Sequence, residues 1–360
     1  MHSEDNIEFK PTVSIIINNY NYDQFLAKAI DSALNQTYPS VEVIVVDDGS
    51  TDQSCEIISS YGSNIIPVLK VNGGQNSCLN EGFKASSGDV IFFLDSDDLF
   101  HQQKVEKIIN FLNQSNLIDS PIAFHNMSEA INESGLPEKT FDPSKVLHED
   151  WNLLSIIKGN TLFFNGEVSQ VCTSDQVYER FASKYRYVPY IGMQTSCISI
   201  TRVMAEKVFP LPIPEGRFLG DHADTFITKA SSLIGSVYSS NLVLTQYRVH
   251  DNNWHRKKES QEKRELINQM QDDFLNAKLK SLKKEPVIAF SRSMNASSFY
   301  RCYFGYEGGD KLLNLAFDVV KWHTDTNTLK FFLVNFARGI YYKFKIFYRN
   351  FLFCKPESKN

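Results

Sequence analysis

Two groups of carboxylates in this chain follow apolar runs directly. Asp47 and Asp48 come after Val41–Val46, and Asp95, Asp97 and Asp98 come after Val90–Leu94. Carboxylates set this close repel one another unless a cation lies among them or water screens them. Hard divalent cations want oxygen ligands, and Mg2+ usually takes only one or two protein carboxylates, filling its shell with water and substrate phosphates. An Asp-x-Asp such as Asp95 and Asp97 at a strand end suits that task. The plainer reading of Asp47-Asp48 is a turn, because Asp before Gly-Ser hydrogen-bonds its own backbone or caps the following helix. Asp98 alone is a candidate cap for the helix after it. Asp221 and Asp224 form a third pair. Their spacing matches an N-cap followed by an acidic N3 residue.

The elements that position these groups are legible from periodicity. VSIII, VEVIVV, NIIPVLKV and DVIFFL read as four short β-branched or aromatic strands. Pro67 in the third suggests an edge or a bulge. Helical spacing follows each strand: Phe25, Leu26, Ala29, Ile30, Ala33 and Leu34 after the first, with Asp23 as N-cap and Pro39 past the end; then SCEIISSYG, SCLNEGFKASSG and QKVEKIINFLNQ. Four β-α repeats with short links predict an α/β fold around a mostly parallel sheet, in which ligands bind at the carboxyl ends of the strands. Both acidic groups then face one crevice. Residues 120–250 are less regular, with a helix expected after Asp224. Residues 256–284 read as a charged, solvated helix, and apolar helical pattern resumes near 286.

With 42% hydrophobic and 22% charged residues the 360-residue chain reads as globular, and a net charge of -5 gives no reason to expect nucleic-acid binding. Six cysteines without a C-x-x-C pair suggest neither a zinc site nor a redox motif, and point to a reducing compartment. No signal peptide and no transmembrane run is visible, so a cytoplasmic location is expected.

The ordered set PTVSIIINNYNYDQFLAKAIDSALNQTYPSVEVIVVDDGSTDQS and NGGQNSCLNEGFKASSGDVIFFLDSDD resembles the family 2 glycosyltransferases, with their A-type, Rossmann-like nucleotide-sugar fold. The resemblance is strong over 11–112 and weak over 190–254. It implies a catalytic domain over 11–255, with a nucleotide-binding half at 11–112 and an acceptor half at 113–255, followed by a helical extension over 256–360. It implies that Asn19, Tyr20 and Asp48 contact the base and ribose, with Asp47 in support, and that Gly74, Gln75, Asn80, Gly82 and Ser96 lie near the donor. Asp95 and Asp97 become the Mn2+ or Mg2+ motif. Arg248 and His250, in YRVH, become a diphosphate contact and a further metal ligand. Asp224 is the family's position for the general base, with Asp221 as runner-up. Cys78-Leu79-Asn80 departs from the family's frequent Ala-Arg-Asn, which removes one pyrophosphate contact. The simpler role for Asn80 is a satisfied helix polar residue.

The implied activity is inverting transfer from a nucleoside-diphosphate sugar, UDP-sugars being the commonest family donors, to a saccharide or glycolipid acceptor in bacterial polysaccharide or glycolipid synthesis. Two alternatives stand beside it. A sugar nucleotidyltransferase would carry a Gly-rich phosphate loop after the first strand, and INNYNYDQF has no glycine. A catalytically silent scaffold would not need Asp48, Asp95, Asp97 and Asp224 intact. Over 329–355, Leu333, Phe336, Ile340, Phe344, Phe347 and Phe351 share one helical face, with Arg338, Lys345 and Arg349 opposite. Such a face lies on an anionic membrane surface or packs on the catalytic domain.

Overall fold

The computed structural model describes residues 10–138, 168–183, 188, 190, 193–214, 222–251, 253 and 260–288. Among these, strands β1 (Val13–Asn19), β2 (Val41–Asp47), β3 (Ile66–Leu69), β4 (Val90–Asp95), β5 (Leu99–Phe100), β6 (Ile122–Ile131), β7 (Val168–Cys172), β8 (Ile198–Thr201) and β9 (Ser236–Arg248) form one sheet. The order is β3-β2-β1-β4-β8-β6-β9-β5, with β7 on β9. Strands β3, β2, β1 and β4 are parallel. From β4 onward the sheet is mixed: β8 runs antiparallel to β4 and β6, and β6 pairs parallel with β9. The α/β class and the Rossmann-like first half are therefore as expected, and every antiparallel pair includes a strand of the second half.

Helices α1 (Asp23–Leu34), α2 (Ser54–Ser60), α3 (Gln75–Ala85) and α4 (Lys104–Gln114) serve the first half. The second has α5 (Ser174–Val177), α6 (Arg202–Val208), α7 (Ala223–Ile234) and α8 (Gln261–Ser281). Apolar residues from both faces of β1, β2 and β4 are buried, which explains why these strands read as unbroken hydrophobic runs. Val13, Ile15, Ile17, Val45, Phe92 and Leu94 share a core with Leu26, Ile30, Ile108 and Ile109. Ile16, Ile44, Val46, Ile91 and Phe93 share the other with Leu79, Ile227, Leu275 and Leu279. Gly82 is fixed by the second packing, because a Cβ there would meet Ile16 Cγ2 at 2.4 Å.

Several local expectations are corrected. Asp23 is the first helical residue and Tyr22 holds the cap position. Asp23 and Asp52 instead brace two helix starts reciprocally: Asp23 N donates to Asp52 (3.0 Å), and Gln53 N donates to Asp23 (3.2 Å). Asp98 caps nothing; α4 starts after Gln103, and Asp98 is buried. The charged segment does form a helix, α8, but not one solvated all round. Ile267, Leu275 and Leu279 are buried, Phe274 meets Phe226 of α7 edge-on at 5.6 Å, and Lys229 of α7 donates to Gln271 (3.1 Å). Pro67 does lie in an edge strand, β3.

Candidate functional site

Parallel register brings the acidic groups together. Asn19 at the end of β1 lies opposite Asp47 of β2, and Asn18 lies opposite Asp95 of β4. Both clusters thus reach the same carboxyl edge of the sheet.

On the β2 side, Asn19 Nδ2 donates to Asp47 Oδ1 (2.8 Å), and Ser50 N and Oγ donate to the same carboxylate (2.9 and 2.6 Å). Asp47 is thereby a buried brace between two loops, as the turn reading anticipated. Asp48 is 2% exposed and receives Lys70 Nζ, Gly73 N (2.9 Å) and Gly74 N (2.7 Å). It folds the 70–74 segment over the end of β2. Gly74 precedes α3 with φ +80°, a conformation open to glycine at little cost. Tyr20 stands 47% exposed at the mouth.

On the β4 side, Asp95 accepts from Gln75 Nε2 (2.8 Å), and its amide donates to Ser196 Oγ (3.0 Å). Burial, then the charge of Asp97, hold its carboxyl up at about 7, although hydrogen bonds from Asn18 and Gln75 favour ionisation. Asp97 Oδ2 lies 3.0 Å from His250 Nε2. The imidazole is wedged between Tyr22 (5.4 Å, edge-on) and Phe25 (5.1 Å), and its backbone is fixed by Asn253 (2.6 Å). Asp98 is buried and accepts from Arg248 N (2.9 Å); burial, then Asp97 and Asp95, raise it well above the carboxylate range. Ser96 is buried, and its amide donates to Asn18 O (3.2 Å).

The third group enters from α7. Asp224 Oδ2 accepts from Tyr190 Oη (2.8 Å), and Oδ1 accepts from Thr225 N (2.7 Å). Its charge is among those that disfavour ionisation of Asp95, so the two carboxylates share one electrostatic environment. Burial, then Asp224, push the Tyr190 phenol far up, keeping it a donor. The cap of α7 is His222, at φ +87°. Asp224 therefore sits one turn-position inside the helix without capping it. Asp221 lies outside the described residues.

Residues 14–170 match the model for glycosyl transferase family 2. Over this segment the chain is similar to that family. Among relatives, an uncharacterized glycosyltransferase, alr2836, from Nostoc sp. is 28% identical over 276 residues, covering 73% of this chain and 75% of its own length. The minor teichoic acid biosynthesis protein GgaB of Bacillus subtilis is 32% identical over 156 residues, 39% of this chain but 17% of GgaB. Among solved structures, S. aureus TarS 1-349 in complex with UDP-GlcNAc aligns with a TM-score of 0.48 at 17% identity, covering 85% of this chain and 81% of that one.

Within the segment that matches family 2 and the strands that complete its sheet, two expected donor contacts sit elsewhere. Asn80 is buried against the backbone of Leu211, donating to its carbonyl (2.9 Å) and accepting from its amide (2.7 Å). The plainer role holds: it staples α3 to the 209–213 segment. Arg248 is fully buried, and its guanidinium donates to the carbonyls of Asp97 (2.8 Å), Asn132 (3.0 Å) and Glu133 (2.8 Å) while lying 4.8 Å from the Phe25 ring. It shapes the Asp97 turn rather than facing a diphosphate. Asp48 stays at the carboxyl edge of the sheet, where its carboxylate takes Lys70 and two glycine amides.

The expected metal set changes in the same way. Among the described residues no three of His, Cys, Asp and Glu converge to hold a metal. Asp97 and His250 do converge. One carboxylate and one imidazole fit a cation such as Mn2+ that takes its remaining ligands from phosphate and water, and the crowded Asp95 supplies nearby charge for it to relieve.

Tyr190, Lys70 and Lys104 were not anticipated as site residues. Tyr190 sits in a stretch without periodicity, and Lys70 follows directly on the strand β3 as one lysine at the end of the run NIIPVLKV. Lys104 reads as a surface lysine at a helix start, yet it is completely buried.

Proposed function

We propose that the chain is an inverting glycosyltransferase that moves a sugar from a nucleoside-diphosphate sugar, UDP-sugars being the first candidates, to a hydroxyl of a saccharide or glycolipid. The observation that carries this reading is the meeting of the β1, β2 and β4 ends, with Asp97–His250 at one side and Asp224 in electrostatic reach of Asp95. A nucleotide enters at the carboxyl edge of the sheet. The exposed Tyr20 ring offers a face for the base, and the Asp48-braced 70–74 segment forms the wall beside it.

Asp97 and His250 are the residues that hold a divalent cation, which when bound supplies charge stabilisation to the leaving diphosphate. Arg248 keeps the Asp97 turn in place, and Gln75 orients the Asp95 carboxylate. Asp224 takes the proton of the acceptor hydroxyl. Its Oδ2 is kept in one orientation by the neutral Tyr190 phenol. One base and one displacement invert the anomeric centre, and no covalent carboxylate intermediate is involved. The likeness to a teichoic acid biosynthesis protein supports a cell-surface polymer as acceptor class. Membrane-surface contact through 329–355 belongs to the same reading; those residues lie outside the described ones.

The test is a hydrolysis screen over nucleoside-diphosphate sugars with Mn2+ and with Mg2+. Release of the nucleoside diphosphate from one donor class, abolished by chelator, supports the reading. Absence of turnover and of metal-dependent nucleotide binding would leave a silent scaffold.

A further inference from the structure

Lys104 lies at the first residue of α4, behind the acidic turn, with no exposed surface. An ammonium under protein is costly unless its donors are satisfied, so its contacts carry information. Nζ donates to Ser196 O (2.5 Å) and Thr245 Oγ1 (2.9 Å), and lies 3.7 Å from the Phe100 ring centre. Thr245 Oγ1 donates in turn to Ser196 O (3.1 Å) and accepts from Asn126 Nδ2 (2.9 Å). The ammonium and the threonine therefore grip one carbonyl, that of Ser196.

Ser196 faces the site from its other end. Its hydroxyl receives the Asp95 amide (3.0 Å). Its neighbour Thr195 receives Gln75 Nε2 (3.4 Å), whose shorter bond is to Asp95 Oδ1 (2.8 Å). The short turn Thr195–Cys197 thus touches Asp95 through its backbone and, by way of Gln75, through its carboxylate. Lys104 reaches that turn from α4, an element that carries no other group of the site.

We propose that Lys104 is the positioning residue of the acidic turn: through Ser196 it fixes Asp95, and with it the approach to Asp97 and His250. This rests on the reading of Asp97 and His250 as cation-holding residues. Groups that hydrogen-bond a metal's own ligands are worth about 10–100-fold in metal affinity, and Lys104, acting further back through Ser196 and Asp95, belongs at the low end of that range.

The test uses the full chain and calorimetric binding of UDP at increasing Mn2+. Lys104→Met keeps the length of the side chain and removes its donors. Ser196→Ala removes the hydroxyl that receives the Asp95 amide. Each is expected to raise the Mn2+ concentration at half-maximal UDP binding by about tenfold, and the double variant is expected to raise it no further than the larger single. A merely structural lysine predicts lower stability in denaturant unfolding with the Mn2+ dependence of UDP binding unchanged. A Lys104→Met protein whose Mn2+ dependence stays within twofold of the wild type would overturn the proposal. Should Lys104→Met not fold, Lys104→Gln takes its place, since it keeps a polar side chain that is too short to hold the Ser196 carbonyl as Nζ does. A severalfold shift is then expected, and none refutes the role. A wild-type protein whose UDP binding ignores Mn2+ removes the cation reading itself, and the role of Lys104 with it.

Discussion

Asp97 and Asp224 divide the chemistry between them at the residue scale, and each makes a separable prediction. Asp224 is not the cap of its helix, so replacing its charge probes catalysis rather than folding. Asp224→Asn is expected to slow transfer by about 10²–10⁴-fold, the usual worth of a general base, with UDP affinity unchanged in calorimetry. Near-normal turnover in that variant would remove it as the base and turn attention to Asp221. Asp95 makes a prediction about pH. Its folded-state carboxyl is raised to about 7 by burial and by Asp97. Between the ordinary carboxylate range and about 7, the folded protein binds more protons than the unfolded chain, so stability falls as pH rises through that window, with the full deficit present above it. A cation beside Asp97 offsets the cost of ionising Asp95, and a proton competes with it. Mn2+ is therefore expected to raise the melting temperature more at about pH 8 than at about pH 5.5. Equal stabilisation at both would show that Asp95 does not feel the ion.

The elements explain why some of the site was readable and some was not. The first four strands and helices are visible in periodicity because β1, β2 and β4 are buried on both faces and their helices bury one. The ends of those strands follow from the same pattern, which is why Asp47, Asp48, Asp95 and Asp97 were placed on one edge. The partners of the polar residues were not legible, because they depend on contacts between distant segments. Asn80 sits on the inner side of α3, but its partner, the Leu211 backbone, comes from an irregular stretch 131 residues away. Arg248 ends β9 and His250 comes two residues later, yet one lies under the Asp97 turn and the other beside its carboxylate. The clamp role of Asn80 is testable. Asn80→Ala leaves the amide and carbonyl of Leu211 unpaired, which is expected to lower stability by about 2–4 kcal/mol in denaturant unfolding. UDP affinity should stay within threefold. A selective loss of affinity at unchanged stability would return Asn80 to the donor site.

At the scale of the whole molecule, the sheet joins two halves of different legibility. The parallel half was read nearly complete. The mixed half was not, because β6, β7, β8 and β9 pair across long sequence separations and carry register shifts. Helix α8 was seen as a helix but misjudged as solvated, since its charge hid the spacing of Ile267, Phe274, Leu275 and Leu279. The segment 329–360 adds a prediction of its own. If its basic and apolar sequence binds membrane, deleting it should release the protein from anionic liposomes in a sedimentation assay; a full-length chain that never pellets with them would refute docking. The central claim, a nucleotide-sugar site whose cation is held by Asp97 and His250, is tested most directly by calorimetry of UDP with and without Mn2+ on the wild type and Asp97→Asn. The wild type should bind UDP far more tightly with the ion, and Asp97→Asn should bind it weakly and equally in both. Mn2+-independent binding by the wild type, or undiminished Mn2+-dependent binding by Asp97→Asn, would contradict the account.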